Sequence, residues 1–370
     1  MIQTFDVGST PFPGDYERFL KEIASVDHLI KLTYSTKFSG DRGYFEEKIV
    51  ECFLDKVGAG IDIPNYPQFR DMNEMFLDSI DGIEKSKEGY MITGPTSIEP
   101  EKRQIPEVKI LEERAREICV KTSTPLKVKL CLTGPYTLAS LFTHRGPYLF
   151  STLGEMISKI VETNLFDNKF GRVELVALDE PVFGLFDDPL LDYGARGREE
   201  LLKTWESIYH IIKSKKVKTC IHLHGTTNEL FWQIKSLDII ESHVEDPLYS
   251  SRSTKQMLER EDKFLKASIG ITNFDNLIRN YLRKSAVEET ALNQKIADVW
   301  TDVRKGKADS TIFLEKEEII AERLRKIIEQ FGGERVLYAG PECGLKSFPT
   351  YECAIECLRR ISTVVRGFSP

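Results

Sequence analysis

Residues 217–225 read VKTCIHLHG, a short run of apolar and β-branched residues that ends in polar side chains and a glycine. A run of this length, bounded by a glycine, predicts a buried β-strand. The preceding segment, 199–215, carries apolar residues at helical spacing. A strand that follows a helix in this way is the repeating unit of a parallel sheet.

Seven further runs of the same kind occur along the chain, and helical segments separate most of them. They are IQTFDVG (2–8), GAGIDIP (58–64), LKVKLCLTG (126–134), VELVALDEP (173–181), DIIESHVE (238–245), FLKASIGIT (264–272) and RVLYAGPECG (335–344). Eight strands joined by helical crossovers predict an α/β fold, a single (β/α)8 TIM barrel. The alternative is an open doubly wound sheet, which is typically marked by GxGxxG after its first strand, and this sequence lacks that motif.

One catalytic domain is predicted over residues 1–370, because α/β barrels commonly exceed about 250 residues as a single unit. Two stretches, 85–108 and 277–318, are long for connections between a strand and a helix. We therefore expect them to be helical insertions that lie over the barrel.

Composition limits the classes of function. The 370 residues are 41% hydrophobic and 29% charged, and the formal net charge of −7 argues against a nucleic-acid partner. The sequence has no apolar run near the roughly 18 residues that would span a bilayer, and its first residues lack the pattern of a signal peptide. We therefore expect a cytoplasmic protein, not a membrane protein, whose seven cysteines are thiols.

Residues with metal-binding chemistry stand at the carboxyl ends of three predicted strands. His222 and His224 end the fifth run, Glu245 ends the sixth, and Cys343 lies at the end of the eighth. In a barrel these ends share one rim, where active sites are built. Two imidazoles, a carboxylate and a thiolate are ligands that tetrahedral Zn²⁺ accepts. The pattern predicts a zinc site, against the plainer alternative of a structural histidine pair and a cysteine that fills the core.

Two further rim segments fit a substrate with an amino acid head group. Asp179 and Glu180 end the fourth run and can hold an ammonium group, unless they serve as an ion pair or a helix cap. Gly8 and Ser9 end the first run, where backbone N–H groups can meet a carboxylate, unless the segment is an ordinary turn.

These motifs resemble the catalytic barrel of cobalamin-independent methionine synthase, particularly its single-barrel archaeal-type members, and more distantly the uroporphyrinogen decarboxylase superfamily. The resemblance covers nearly the whole chain, and its most specific element is GPECGLKSF at 340–348. Its other carriers are VGSTPFPG (7–14), GIDIPNYPQFRDMNEMF (60–76), LTGPYTL (132–138), ALDEPVF (177–183), IHLHG (221–225) and IGITNFDN (269–276).

The resemblance implies a zinc-dependent methyltransferase that acts on the thiol of homocysteine in methionine biosynthesis. In that family a His-x-Cys pair, a Glu and a late Cys hold the zinc, and Glu245 and Cys343 match the last two. HLHG at 222–225 falls on the His-x-Cys-Gly element, so that His224 replaces the first cysteine. In an alternative register, His224 is the family's histidine and Thr226 stands at the cysteine position.

The resemblance also implies the substrate contacts and the donor. Asp179 would bind the homocysteine amine as the catalytic residue, while Gly8 and Ser9 would meet the carboxylate. Gln68 stands where the family has a GE element that helps to bind the amino acid. The implied methyl donor is a corrinoid or folate-type carrier, and a methyl-carrier protein is an expected partner.

Three other functions remain open at this point. A zinc hydrolase of the amidohydrolase kind carries its HxH on the first strand, whereas this chain carries it on the fifth. A decarboxylase of the uroporphyrinogen type has an arginine-rich loop near its N-terminus, and MIQTFDVGSTPFPG at 1–14 holds no arginine. A non-catalytic barrel subunit of the same family is the third alternative, because His224 departs from the family's ligand pattern.

Overall fold

The computed structural model describes residues 2–23, 43–284 and 289–368. Its strands are, in chain order, β1 (Gln3–Thr4), β2 (Asp81–Lys85), β3 (Tyr90–Ser97), β4 (Leu126–Thr133), β5 (Asp167–Asn168), β6 (Gly171–Glu180), β7 (Lys218–Leu223), β8 (Ile239–Glu241), β9 (Phe264–Gly270) and β10 (Val336–Pro341). A parallel, curled sheet runs in the order β1-β10-β9-β8-β7-β6-β4, and the short β5 pairs with β6. The predicted α/β TIM-barrel fold is confirmed.

The second predicted strand, 58–64, is not a regular strand, because Gly58 ends a helix and residues 59–60 form a turn. Residues 61–64 connect the two ends of this sheet. On one side, the Ile63 N–H donates to the Thr4 carbonyl oxygen of β1 at 3.0 Å. On the other side, Lys129 of β4 donates its backbone N–H to the Pro64 carbonyl oxygen at 2.8 Å. The segment thus takes the place of a strand between β1 and β4.

Helices surround the sheet and cover its outer face. In chain order they are α1 (Tyr44–Gly58), α2 (Glu74–Leu77), α3 (Pro106–Thr122), α4 (Pro135–Ser140), α5 (Pro147–Asn164), α6 (Arg196–Ser214), α7 (Arg252–Arg260), α8 (Phe274–Lys284), α9 (Leu292–Arg304), α10 (Glu317–Phe331) and α11 (Tyr351–Gly367). Residues 16–23 are also helical. Short 3-10 helices lie at Pro100–Arg103, Pro189–Leu191, Glu229–Gln233, Pro247–Tyr249, Glu289–Ala291 and Ser310–Phe313. Within the described ranges, no helix has the length and apolarity needed to cross a bilayer.

Helix α6 shows how the sequence pattern builds this outer layer. Leu201, Trp205, Ile208 and Ile212 recur at helical spacing, and all four are buried. Burial of each such side chain stabilises the fold by roughly 1.5–3 kcal/mol. The neighbouring helix α5 passes very close, because a Cβ added to Gly154 would lie 2.1 Å from a side-chain carbon of α6.

The two predicted insertions differ from each other. The described residues of the stretch 277–318 hold most of α8, all of α9 and two 3-10 helices. The stretch 85–108 instead holds β3 of the antiparallel β2–β3 hairpin, followed by a 3-10 helix and the start of α3. Side chains of Tyr90–Ser97 alternate between more and less buried positions, which is the period of a strand and not of a helix.

Candidate active site

Three neighbouring strands place polar side chains in one row. Asp179 on β6 is in register with His222 on β7, and His222 is in register with Glu241 on β8. Side chains in register on parallel strands share a face of the sheet, so all three point the same way. All three are buried, and they mark the inner side of the barrel near the carboxyl ends of its strands.

Three imidazoles and a thiol meet beside this row. Their candidate ligand atoms all lie within 4.8 Å of one another. The group, called here the His–Cys cluster, consists of His222, His224, His243 and Cys343. The Cys343 Sγ lies 3.5 Å from His224 Nε2, and the ring centroids of His224 and His243 are 4.1 Å apart. Nitrogen and sulfur atoms at such close spacing form a donor set that a tetrahedral zinc ion accepts.

The hydrogen bonding of the His–Cys cluster also fits a metal ion. His222 Nε2 and His243 Nε2 are buried, and neither has a hydrogen-bond partner among the described residues. An unsatisfied buried polar atom costs roughly 1–3 kcal/mol. A metal ion bound by these nitrogens would remove that cost, so the residues present suit the zinc ion expected from the sequence.

Charges within the cluster favour a thiolate. Burial alone would raise the pKa of the Cys343 thiol, but its interactions with the three imidazoles lower that pKa well below its usual range. Burial alone would lower the pKa of His222, but its interactions with Cys343 and Glu241 raise it to about 10. Because the thiolate is the form of cysteine that binds metals, Cys343 is held in its ligand form.

Glu342 fixes the loop that carries Cys343. Its carboxylate accepts the backbone N–H groups of Val244 and Thr272, both at 2.9 Å. These two donors follow β8 and β9, whereas Glu342 follows β10. One side chain therefore ties together three of the loops that form the rim.

The loop after β1 approaches the same rim segment. The Ser9 carbonyl oxygen accepts the Leu345 N–H at 2.7 Å. Gly344 also packs closely on this loop, since an added Cβ would lie 2.2 Å from Ser9 Oγ and the Ser9 hydroxyl would have to rotate away. This packing places the predicted carboxylate-binding loop next to Cys343.

A cavity of about 600 Å³ opens at this rim, and the His–Cys cluster lies on its wall. Asp179 also lines it. The Cys131 thiol donates to Asp179 Oδ2 at 2.8 Å, whereas Asp179 Oδ1 is buried without a hydrogen-bond partner in the part of the chain that the structure describes. Burial raises the pKa of Asp179, and the nearby His222 and Lys129 offset part of that increase. One oxygen of Asp179 is thus left for a ligand.

The other predicted contacts with the carboxylate lie together on the same side. Ser9 and Gln68 form a parallel β-bridge, and both line the cavity. A Cβ added to Gly8 would lie 2.7 Å from Gln68 Oε1, so these two residues also pack closely. The structure therefore brings Ser9 and Gln68 to one wall of the cavity, with Gly8 packed against Gln68.

Glu180 is placed differently from Asp179. Its Oε1 accepts the Tyr136 N–H at 3.0 Å and the Trp205 Nε1–H at 2.8 Å, and its Oε2 accepts the Thr137 N–H at 2.7 Å. Because successive residues of a strand point to opposite faces, Glu180 faces α4 and α6 instead of the cavity. Its two oxygens hold the helical layer to β6, and burial raises the pKa of Glu180 to about 7.

Glu245 is exposed on the cavity wall and lies outside the His–Cys cluster. Strand β8 ends at Glu241 and not at residue 245, so its rim positions come earlier than the sequence pattern indicates. His243, which sequence reasoning did not include, stands in the cluster. The strand register could have identified His243. His222 pairs with Glu241, and the residues two positions after these are His224 and His243.

The fold and site thus define a TIM barrel with a candidate metal centre of three histidines and a cysteine at its carboxyl rim. The sequence matches no protein-family model and no curated protein.

Solved structures do show similarity. A B12-independent methionine synthase from Shewanella sp. W3-18-1, in complex with selenomethionine, is 16% identical, with a TM-score of 0.56 over 99% of this chain and 98% of that one. A putative vitamin-B12 independent methionine synthase from Listeria monocytogenes is also 16% identical, with a TM-score of 0.57 and the same coverage. At this identity, the similarity is one of fold.

Proposed function

We propose that the protein is a zinc-dependent methyltransferase that transfers a methyl group to the thiol of homocysteine and forms methionine. The observation that carries this proposal is the His–Cys cluster on the wall of a cavity that Asp179 also lines, with one Asp179 oxygen that has no hydrogen-bond partner among the described residues. In an amino acid that carries a thiol, the thiol would bind the metal at the cluster and the ammonium group would bind the Asp179 carboxylate. The fold similarity to two methionine synthase structures supports the same proposal.

The His–Cys cluster would hold the metal. Three of the ligands expected from the sequence, His222, His224 and Cys343, belong to it, and its geometry favours His243 over Glu245 as the fourth. When bound, zinc would lower the pKa of the substrate thiol so that it is present as a thiolate near neutral pH.

The remaining residues would orient the substrate. Asp179 Oδ1 would accept hydrogen bonds from the ammonium group, while Cys131 holds Oδ2 in place. Backbone N–H groups of Gly8 and Ser9 would meet the substrate carboxylate, with Gln68 beside them. If the ammonium and carboxylate groups of the substrate are both held, its thiol is directed to one point of the cavity. Such positioning contributes strongly to catalysis.

The methyl transfer would be an in-line displacement. The thiol proton leaves to solvent before the reaction, the sulfur electron pair forms the new S–C bond, and the donor keeps the electron pair of the bond that breaks. We propose a corrinoid or folate-type carrier as the donor, and a methyl-carrier protein is the partner that this donor would require if the cofactor is protein-bound.

The test is to supply the purified protein with homocysteine and either methylcobalamin or methyltetrahydrofolate, and to measure methionine by mass spectrometry. The Cys343→Ser variant is expected to lose most of the activity. The matched control is Cys119→Ser, which changes a half-buried cysteine on α3 and should leave the activity unchanged. Equal turnover by the two variants would refute the proposal, and bound zinc without any turnover would favour the non-catalytic barrel.

A further inference from the structure

A buried group of charges lies directly behind His222. The side chains of Glu241, Lys129 and Lys266 are all fully buried. The Lys266 Nζ lies 2.6 Å from Glu241 Oε2, and the Lys129 Nζ lies 3.6 Å from Oε1. Burying an unpaired charge is strongly destabilising, so the two ammonium groups keep Glu241 ionised and fixed in the barrel.

His222 connects this charge group to the His–Cys cluster. Its Nδ1 lies 3.4 Å from Glu241 Oε1, which is an ion-pair distance outside hydrogen-bond geometry, and neither Nδ1 nor the buried Nε2 has a hydrogen-bond partner among the residues that the structure describes. An imidazole whose Nδ1–H faces a carboxylate presents the lone pair of Nε2 to a metal ion. Glu241 is thus the carboxylate that faces Nδ1, and with a metal ion on Nε2 it would favour the tautomer that carries its proton on Nδ1.

We propose that Glu241 is a positioning residue of the metal site, which acts through His222 and is not itself a ligand. Glu241 lies outside the group of four whose ligand atoms converge. Its two oxygens already face two ammonium groups, so direct binding to a metal would require it to leave the Lys266 contact at 2.6 Å. This inference rests on the proposed function only in requiring that the His–Cys cluster binds a metal.

The experiment compares zinc binding by the wild type and by Glu241→Gln. Zinc affinity is measured by competition with a chromophoric chelator, and the ligands of the bound zinc are counted by X-ray absorption. Loss of an outer carboxylate partner should weaken zinc binding by about 10- to 100-fold. The zinc should keep the same three nitrogen ligands and one sulfur ligand in both proteins.

The matched control is Asp6→Asn. Asp6 is also buried and pairs with a buried lysine, Lys56, at 2.7 Å, while its other oxygen accepts the Asn65 N–H at 2.7 Å. This variant removes a similar buried charge whose carboxylate partners, Lys56 and Asn65, lie outside the group of Glu241, Lys129 and Lys266, while the Asp6 backbone carbonyl keeps its hydrogen bond from Lys129. Its zinc affinity should equal that of the wild type, even if its thermal stability falls as much as that of Glu241→Gln.

Two results would overturn the proposal: wild-type zinc affinity in Glu241→Gln, or the loss of one oxygen ligand from the zinc in that variant. If Glu241→Gln alone does not fold because two lysines are left unpaired, the double variant Glu241→Gln/Lys266→Gln restores the charge balance and is expected to show the same loss of affinity. A wild type that binds no zinc would overturn the proposed function as well, whereas tight binding by both proteins overturns only this inference.

Discussion

Replacing His243 by alanine is expected to weaken zinc binding far more than replacing Glu245 by glutamine. His243 is one of four side chains in the His–Cys cluster, whereas Glu245 is exposed outside it. Structural zinc sites bind their metal with apparent free energies of about 10–16 kcal/mol near neutral pH. Divided equally over four ligands, this is about 3 kcal/mol for each, or roughly a 100-fold change in Kd.

The assay is competition for zinc with a chelator at fixed pH, with circular dichroism to show that both variants remain folded. His243→Ala should lose about 100-fold in affinity. Glu245→Gln should lose much less, because its carboxylate does not converge with the other ligand atoms. The reverse order of the two affinities would show that Glu245 is the fourth ligand and that the geometric argument fails.

Three further changes test other parts of the account. Asp179→Asn should raise the KM for homocysteine by about 10- to 100-fold, because a hydrogen bond to a charged group contributes roughly 1.5–3 kcal/mol, and an unchanged KM would contradict the assigned role. Gly340→Ala should weaken zinc binding, because the new Cβ would lie 2.1 Å from the Phe5 backbone carbonyl oxygen and would displace the end of β10 that leads to Cys343. Gly333→Ala, which would meet no described atom within 4 Å, should not, and equal affinities would exclude this packing argument. Burial lowers the pKa of Lys263 from its ordinary value of 10.5 to about 8. Between these two pH values the folded protein therefore binds fewer protons than the unfolded one. The contribution of Lys263 to the free energy of unfolding should rise by about 3 kcal/mol over this range. Denaturant titrations should show that this rise disappears in Lys263→Met, and parallel pH profiles would refute it.

The fold was predictable because its signals are local. Seven of the eight predicted runs contain strands of the parallel sheet, and helices stand between them. The exception, 58–64, holds Gly60 with a positive φ of 98° and Pro64, which has no N–H to donate. These two residues prevent a regular strand, yet backbone hydrogen bonds to Thr4 on one side and from Lys129 on the other still connect the sheet.

The sequence predicted the residue types of the metal site but not the full set of its four residues. His222, His224 and Cys343 stand at strand ends that could be located from the pattern alone. Whether His243 or Glu245 joins them depends on where β8 ends and on its register with β7, which is a property of long-range pairing. Long-range pairing also places Cys131 of β4 beside Asp179 on the neighbouring strand β6, where the thiol donates to the Asp179 carboxylate.

The most direct test of the central claim is a calorimetric titration of homocysteine into the zinc-loaded protein and into the same protein after removal of zinc by a chelator. The account predicts about one zinc ion per chain and homocysteine binding that requires it, with release of a proton on binding. Homocysteine that binds equally well without zinc, or a purified protein that takes up no zinc, would contradict the account.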